Sequence, residues 1–144
     1  MKSFYVDSCI YLNLWQKEGN EKLGKPYWKI AQNFFENCSR KNKTIFYSRF
    51  ILKEMKFILT QEKYREKIKL FDCLPFARID ASTEDICKAR KIESELRYEI
   101  SFYDIIHILL ALKTDSILVT RDHLLLESAR KYSVIAKKPE SLLF

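Results

Sequence analysis

Residues 3–15 read SFYVDSCIYLNLW, and the fold turns on how that stretch divides. Tyr5 and Val6 suit a buried strand, while Ile10 to Trp15 carry the spacing of an amphipathic helix. Between them stands Asp7, a carboxylate where the chain enters the core. A strand that hands over to a helix across one acidic residue is the opening of an α/β unit, and the charge at the junction needs a reason.

Working outward, hydrophobic period and punctuation place strands at about 3–6, 44–47, 76–79, 117–119 and 133–136. Helices fill the intervals, at about 8–17, 26–40, 49–60, 62–73, 83–98, 102–113 and 123–131. Strands alternating with helices predict an α/β layered fold with a mainly parallel sheet. In such sheets ligands bind beyond the carboxyl ends of the strands. Asp7 follows the first strand, and Thr120 and Asp122 follow the strand SILV at 116–119.

Composition narrows the classes. A chain of 144 residues, 47% of them hydrophobic, has material for one core and is read as a single domain over residues 1–144. No apolar run reaches membrane-spanning length and no basic-then-apolar leader opens the chain, so a cytoplasmic protein without a membrane span is expected. Cys9, Cys38, Cys73 and Cys87 form neither a C-x-x-C pair nor a zinc spacing, which suits reduced thiols. Gly19 and Gly24, the only glycines, cannot build a G-x-G-x-x-G or P-loop phosphate cradle. A formal net charge of +7 favours a polyanionic partner.

The acidic residues carry the chemistry. Asp7 can cap the helix it precedes. Asp104, in ISFYDIIHILLAL (100–112), completes a Ser101-x-x-Asp104 capping-box pattern. Asp122, in LVTRDHLLL (118–126), can cap a helix or complement its dipole. Glu54 differs. On a helical wheel of SRFILKEMKFIL (48–59), it falls inside an apolar stripe of Phe50, Ile51, Phe57 and Ile58. Arg49, Lys53 and Lys56 gather on the opposite side. A glutamate facing a core requires an ion pair, a proton or a metal.

Three strand-end or helix-start acids and one inward glutamate have a common explanation. Converging carboxylates repel, and a divalent cation relieves the repulsion. Oxygen-only ligation fits Mg²⁺ or Mn²⁺ better than zinc. Such a site can bind a phosphate oxygen and activate water for phosphodiester hydrolysis, with one metal or two. On this reading Asp7 stands at the strand end to hold metal.

These residues resemble a family. YVDSCI (5–10) is similar to the strand–Asp opening of PIN-domain nucleases, particularly small prokaryotic VapC-like toxins. YSRFILKE (47–54) resembles their strand–Ser–helix–Glu segment, ISFYDIIHILLA (100–111) the helix bearing the third acid, and SILVTRD (116–122) the strand–Thr–x–Asp segment. VIAKKPESLL (134–143) resembles their terminal strand and Pro-led tail. The segments occur in the family's order over essentially the whole chain. The resemblance implies a three-layer α/β/α sandwich and metal-dependent cleavage of RNA. It also implies that Asp7, Glu54 and Asp104 are metal ligands or adjoin them, with Asp122 assisting and Thr120 orienting an acid or water. An antitoxin protein is the implied partner. Cys9 stands where the family commonly has Asn or Ser, and Ile105 and His107 where small residues are frequent.

The remaining features have two readings each. His107 shares a helix face with Asp104, which leaves it a ligand role or, the favoured reading, that of a satisfied buried histidine; His123 is read as a helix-start residue. Lys41, Lys43, Lys53, Lys56 and the basic run EKYREKIK (62–69) are solvated faces or guides for a phosphate backbone. Tyr11, Trp15, Tyr27, Trp28, Phe34 and Phe35 are core residues or base-stacking platforms, with Trp15 and Phe35 candidates for a homodimer or antitoxin surface. Two further classes compete. A phosphoacceptor receiver would use Asp80 after FARI (76–79), with Thr120 and Lys138, but lacks a second acid beside Asp7. A non-catalytic RNA- or protein-binding module of the nuclease fold would keep the architecture without the chemistry.

Overall fold

Strand β1 (Ser3–Val6) lies at the centre of a five-stranded parallel sheet. In chain order it is followed by α1 (Ser8–Trp15), α2 (Tyr27–Arg40), β2 (Ile45–Tyr47), α3 (Arg49–Ile58) and α4 (Gln61–Lys67). A 3-10 turn at Ile68–Asp72 leads to β3 (Phe76–Arg78). Then come α5 (Thr83–Glu95), α6 (Phe102–Lys113), β4 (Ser116–Val119), α7 (His123–Lys131), β5 (Ala136–Lys137) and a last 3-10 turn at Pro139–Ser141. The protein is seen as a computed structural model that describes residues 2–17 and 26–142. Gly19, Gly24 and Leu143 of the tail lie outside the described residues.

The expected α/β/α sandwich is present. Every strand pair is parallel, and helices cover both faces. That explains why the strands read as continuous apolar runs: Tyr5, Val6, Leu118 and Val119 are wholly buried. The core continues through Ile10, Tyr11, Ile45, Ile51, Met55, Ile106 and Leu110, all without exposed surface. Tyr11 stacks on Phe35 at 5.0 Å between ring centroids and lies 5.6 Å from Trp15. Both candidate surface aromatics therefore pack against the core.

Sheet order is β3-β2-β1-β4-β5. The winding reverses at β1, so its carboxyl end and that of neighbouring β4 flank the crevice where such folds bind ligands. The same order corrects the receiver reading, which requires the order 2-1-3-4-5. Asp80 follows the edge strand β3 instead, exposed and paired with Arg78 at 2.9 Å.

Other departures have local causes. Strand β5 was expected at 133–136 but pairs only at Ala136–Lys137, because Ser133 leaves α7 with φ 60° and Val134 is spent in the core. The helix expected over 62–73 ends at Lys67 and tightens into the 3-10 turn. Helix α5 stops at Glu95, short of 98, where Arg97 and Tyr98 turn left-handed at φ 53° and 61°. Helix α1 stops at Trp15, and Lys17 is left-handed at φ 49°. Phe57 and Ile58, placed in the inward stripe of α3, are 79% and 55% exposed. The buried face of α3 is Phe50, Ile51 and Met55, because its last turn runs past the edge of the core.

Candidate active site

Asp7 occupies the N-cap position of α1 but its side chain caps nothing. It is 5% exposed, and its carboxylate is taken up from the neighbouring strand end. Thr120 Oγ1 donates to Asp7 Oδ2 at 2.8 Å, and Cys9 Sγ to the same oxygen at 3.3 Å. Among the described residues Oδ1 meets only Ser8 Oγ, at 3.5 Å. The thiol at position 9 thus makes the contact that Asn or Ser would make. Burial and then the Asp7 charge push the Cys9 pKa well above the ordinary thiol range, so it donates as a thiol.

Glu54 reaches the same crevice from α3. Its Oε1 accepts from His107 Nε2 at 2.5 Å, across from α6, and its side chain is 21% exposed. The described residues contain one cluster with metal-ligand spacing: single ligand atoms of Asp7, Glu54 and His107 lie within 4.8 Å of one another. Helix α6 is apolar nearly all round, which sinks His107 completely. Behind it stand Tyr5, whose hydroxyl is 2.8 Å from His107 Nδ1, and Ser48, whose hydroxyl is 2.7 Å from that of Tyr5. Hydrogen bonding and charge from Glu54 raise the His107 pKa against the downward pull of burial, with Asp7 and Asp104 adding to the rise.

Asp104 lies one turn before His107 on α6. Ser101 Oγ accepts from its backbone N–H at 3.1 Å, while its own carboxylate closes no capping box. Burial, then the charges of Asp7, Asp122 and Glu54, raise its pKa to about 6, opposed by His107. Asp104 therefore lies within electrostatic reach of the other three predicted acids, although it and Asp122 stand outside the three-residue cluster.

Asp122 is committed elsewhere. Its Oδ1 accepts from the backbone N–H of Leu124 at 2.9 Å and of Leu125 at 3.3 Å, so it caps α7, and it is exposed. Its own N–H donates to Thr120 Oγ1 at 3.0 Å. Arg121 turns the other way, with Nε 3.1 Å from Asn13 Oδ1, Nη1 bonded to both Glu140 oxygens, and its guanidinium 4.0 Å over the Tyr27 ring. His123 begins α7 and pairs with Glu127 on the surface.

Sequence reasoning assigned no role at the site to Tyr5, Ser48 and Cys9, and set His107 aside. Two signals were available. Tyr5 and Asp7 are two apart on an extended segment and share a face; Asp104 and His107 are three apart on a helix. The side chains present fit a divalent cation: the carboxylates of Asp7 and Glu54 converge beside the His107 imidazole, and burial followed by the charge of neighbouring acids holds the Asp104 carboxyl up.

The PIN domain profile matches residues 4–131, and the chain belongs to the PIN-domain family. Proteins of this family are in general nucleases that use divalent metals. No curated protein matches the chain. Among solved structures, VapBC2 from Rickettsia felis, bound to a DNA fragment from its promoter, shares 17% identity at a TM-score of 0.66, over 94% of this chain and 97% of that one. FitAcB from Neisseria gonorrhoeae shares 13% at a TM-score of 0.60, over 96% and 99%. FitAB bound to an IR36 DNA fragment shares 14% at 0.57, over 98% of each chain. At these identities the likeness is one of fold. No helix among the described residues is long and apolar enough to cross a membrane.

Proposed function

We propose that the protein is a divalent-metal-dependent ribonuclease, the toxin of a toxin–antitoxin pair working in the cytoplasm. The observation that carries the reading is the convergence of Asp7 and Glu54, beside His107, at the carboxyl end of the sheet, with Asp104 near enough to feel the charge of both. Family membership supports nuclease chemistry, and the resemblance to VapC-like toxins supports RNA as substrate and an antitoxin as partner. The VapBC and FitAB complexes among its structural neighbours point the same way.

In this reading Asp7, Glu54 and Asp104 hold Mg²⁺ or Mn²⁺, and Asp122 adds negative charge from the start of α7. The bound cation would supply charge neutralisation for a scissile phosphate and acidify a water. Thr120 fixes Oδ2 of Asp7, which leaves Oδ1, with only the long 3.5 Å contact from Ser8 Oγ among the described residues, for a cation. Crowding of the acids makes the metal-free site unfavourable for anions, so phosphate binding depends on the cation. The net charge of +7 aids encounter with RNA.

The test is cleavage of structured RNA by the purified chain in Mg²⁺ or Mn²⁺, with a chelator control. Asp7→Asn and Asp104→Asn are nearly isosteric and should each lower cleavage by about two orders of magnitude or more. Undiminished, chelator-resistant cleavage by a folded Asp7→Asn protein would sink the metal mechanism. RNA binding without cleavage in either metal would identify a non-catalytic module.

A further inference from the structure

A chain of buried polar groups ends on Glu54. Ser48 Oγ is 2.7 Å from the Tyr5 hydroxyl, the hydroxyl 2.8 Å from His107 Nδ1, and His107 Nε2 2.5 Å from Glu54 Oε1. Tyr5, Ser48 and His107 have no exposed surface. We propose that His107, oriented by Tyr5 and Ser48, is the positioning residue that holds the Glu54 carboxylate in the metal site. This rests on the reading of Asp7 and Glu54 as metal ligands given above.

The donor and acceptor roles follow from elementary chemistry. An ionised carboxylate only accepts hydrogen bonds, so the proton of this contact sits on Nε2. In the neutral ring Nδ1 is then an acceptor, which takes the Tyr5 O–H, and the Tyr5 oxygen accepts from Ser48. Every donor along the chain then points towards Glu54. A fixed partner matters because Glu54 stands near the rim, partly exposed, on a side chain with three rotatable bonds. Unheld, it can swing into water. Held at Oε1 from a different helix, it keeps Oε2, which has no protein donor among the described residues, for the crevice. Partners of this kind orient metal ligands and raise their affinity for metal.

Direct ligation by His107 is the competing role. One of its ring nitrogens lies within 4.8 Å of an Asp7 carboxylate oxygen. Nε2 is already committed to Glu54 and Nδ1 to Tyr5, however, and the ring cannot turn in a fully packed core.

Mn²⁺ titration of the full chain by calorimetry, alongside melting curves in chelator, tests the role. His107→Leu and His107→Asn both remove donation to Glu54, the second because the shorter amide falls short of it. Each should weaken Mn²⁺ binding by about tenfold to a hundredfold while the protein stays folded. His107→Gln places an amide N–H near the position of Nε2 and should recover most of the affinity. Tyr5→Phe frees the ring behind and should give an intermediate loss. A merely structural histidine would shift the melting temperature of all four and leave Mn²⁺ affinity unmoved in whichever of them fold; that result overturns the proposal. Strong coupling of a ring nitrogen to Mn²⁺ in pulsed electron paramagnetic resonance overturns it in favour of ligation. If wild type binds no Mn²⁺, the metal reading and this role fall together. If it binds Mn²⁺ with an affinity that falls in the His107 variants as stated, without nitrogen coupling, but cuts no RNA, the ribonuclease reading fails and the positioning role stands.

Discussion

Thr120 Oγ1 donates a 2.8 Å hydrogen bond to Asp7 Oδ2, joining the ends of two strands that pair in register from Ser3–Ser116 to Val6–Val119. The hydroxyl also accepts the Asp122 N–H at 3.0 Å. One buried side chain thus sets the direction of a carboxylate and the start of the next helix. Thr120→Val keeps the shape and removes both bonds, leaving Asp7 short of a donor. It should lower unfolding free energy by about 1–3 kcal/mol in denaturant titration, and Thr120→Ser should restore most of it. An unchanged midpoint in the valine variant would show that the bond contributes nothing.

The Glu54–His107 contact has a pH signature. Glu54 raises the folded-state pKa of His107 above its ordinary 6.5. The pair therefore adds stability that is complete below about pH 6.5 and is lost as pH rises through the raised value. In chelator, Glu54→Gln should melt below wild type at pH 5.5, and the gap should close or reverse at pH 9, where the neutral ring can still donate to the amide oxygen. Mn²⁺ should raise the wild-type melting temperature by mass action and the mutant's much less. A gap independent of pH, with an undiminished Mn²⁺ shift, argues against both roles.

Asp104 has the opposite parentage but acts over a lower window. Its carboxyl is raised from 3.8 to about 6, chiefly by burial and then by Asp7. The folded state therefore prefers it protonated, and metal-free stability declines as pH climbs from about 4 to about 6. Asp104→Asn has no such titration. Its melting temperature relative to wild type should rise across that interval and level off above it. A parallel pair of curves would show that Asp104 is not crowded.

Asp122 invites separation of its two roles. As the cap of α7 it satisfies two backbone N–H groups, and Asp122→Ala should lose about 0.5–2 kcal/mol. Asp122→Ser restores a cap without the charge and should restore stability. Mn²⁺ affinity in the serine variant should fall less than in Asp7→Asn. An equal fall would make Asp122 a full member of the metal set.

The fold was legible because each strand and helix carries its own period, and the strand-end position of Asp7 and Thr120 followed from it. Helix ends were less legible: Lys17, Arg97 and Ser133 adopt left-handed backbone without being glycine, so no punctuation marks them. The inward direction of Glu54 was readable on the wheel, but Phe57 and Ile58 were misplaced. A wheel describes a face and cannot tell how far along a helix its neighbours extend. The role of Asp122 was ambiguous for a related reason, since one residue type serves caps and metals alike. The Ser48–Tyr5–His107 chain joins residues up to 102 positions apart, and no local pattern predicts a contact of that range.

Between the inward Thr120 and the capping Asp122, Arg121 points away and ties Asn13 of α1, the Tyr27 ring of α2 and Glu140 of the last turn to the same short segment. Consecutive residues on opposite sides of an extended backbone move as one body. The loop that shapes the crevice is consequently anchored on its far side by groups outside the acidic cluster, and Asn13 and Glu140 belong to the tolerance of the site as much as Thr120 does. Variation at those two positions will be felt as a change in the aim of Asp7, with Asp7, Glu54, Asp104 and Asp122 all still in place.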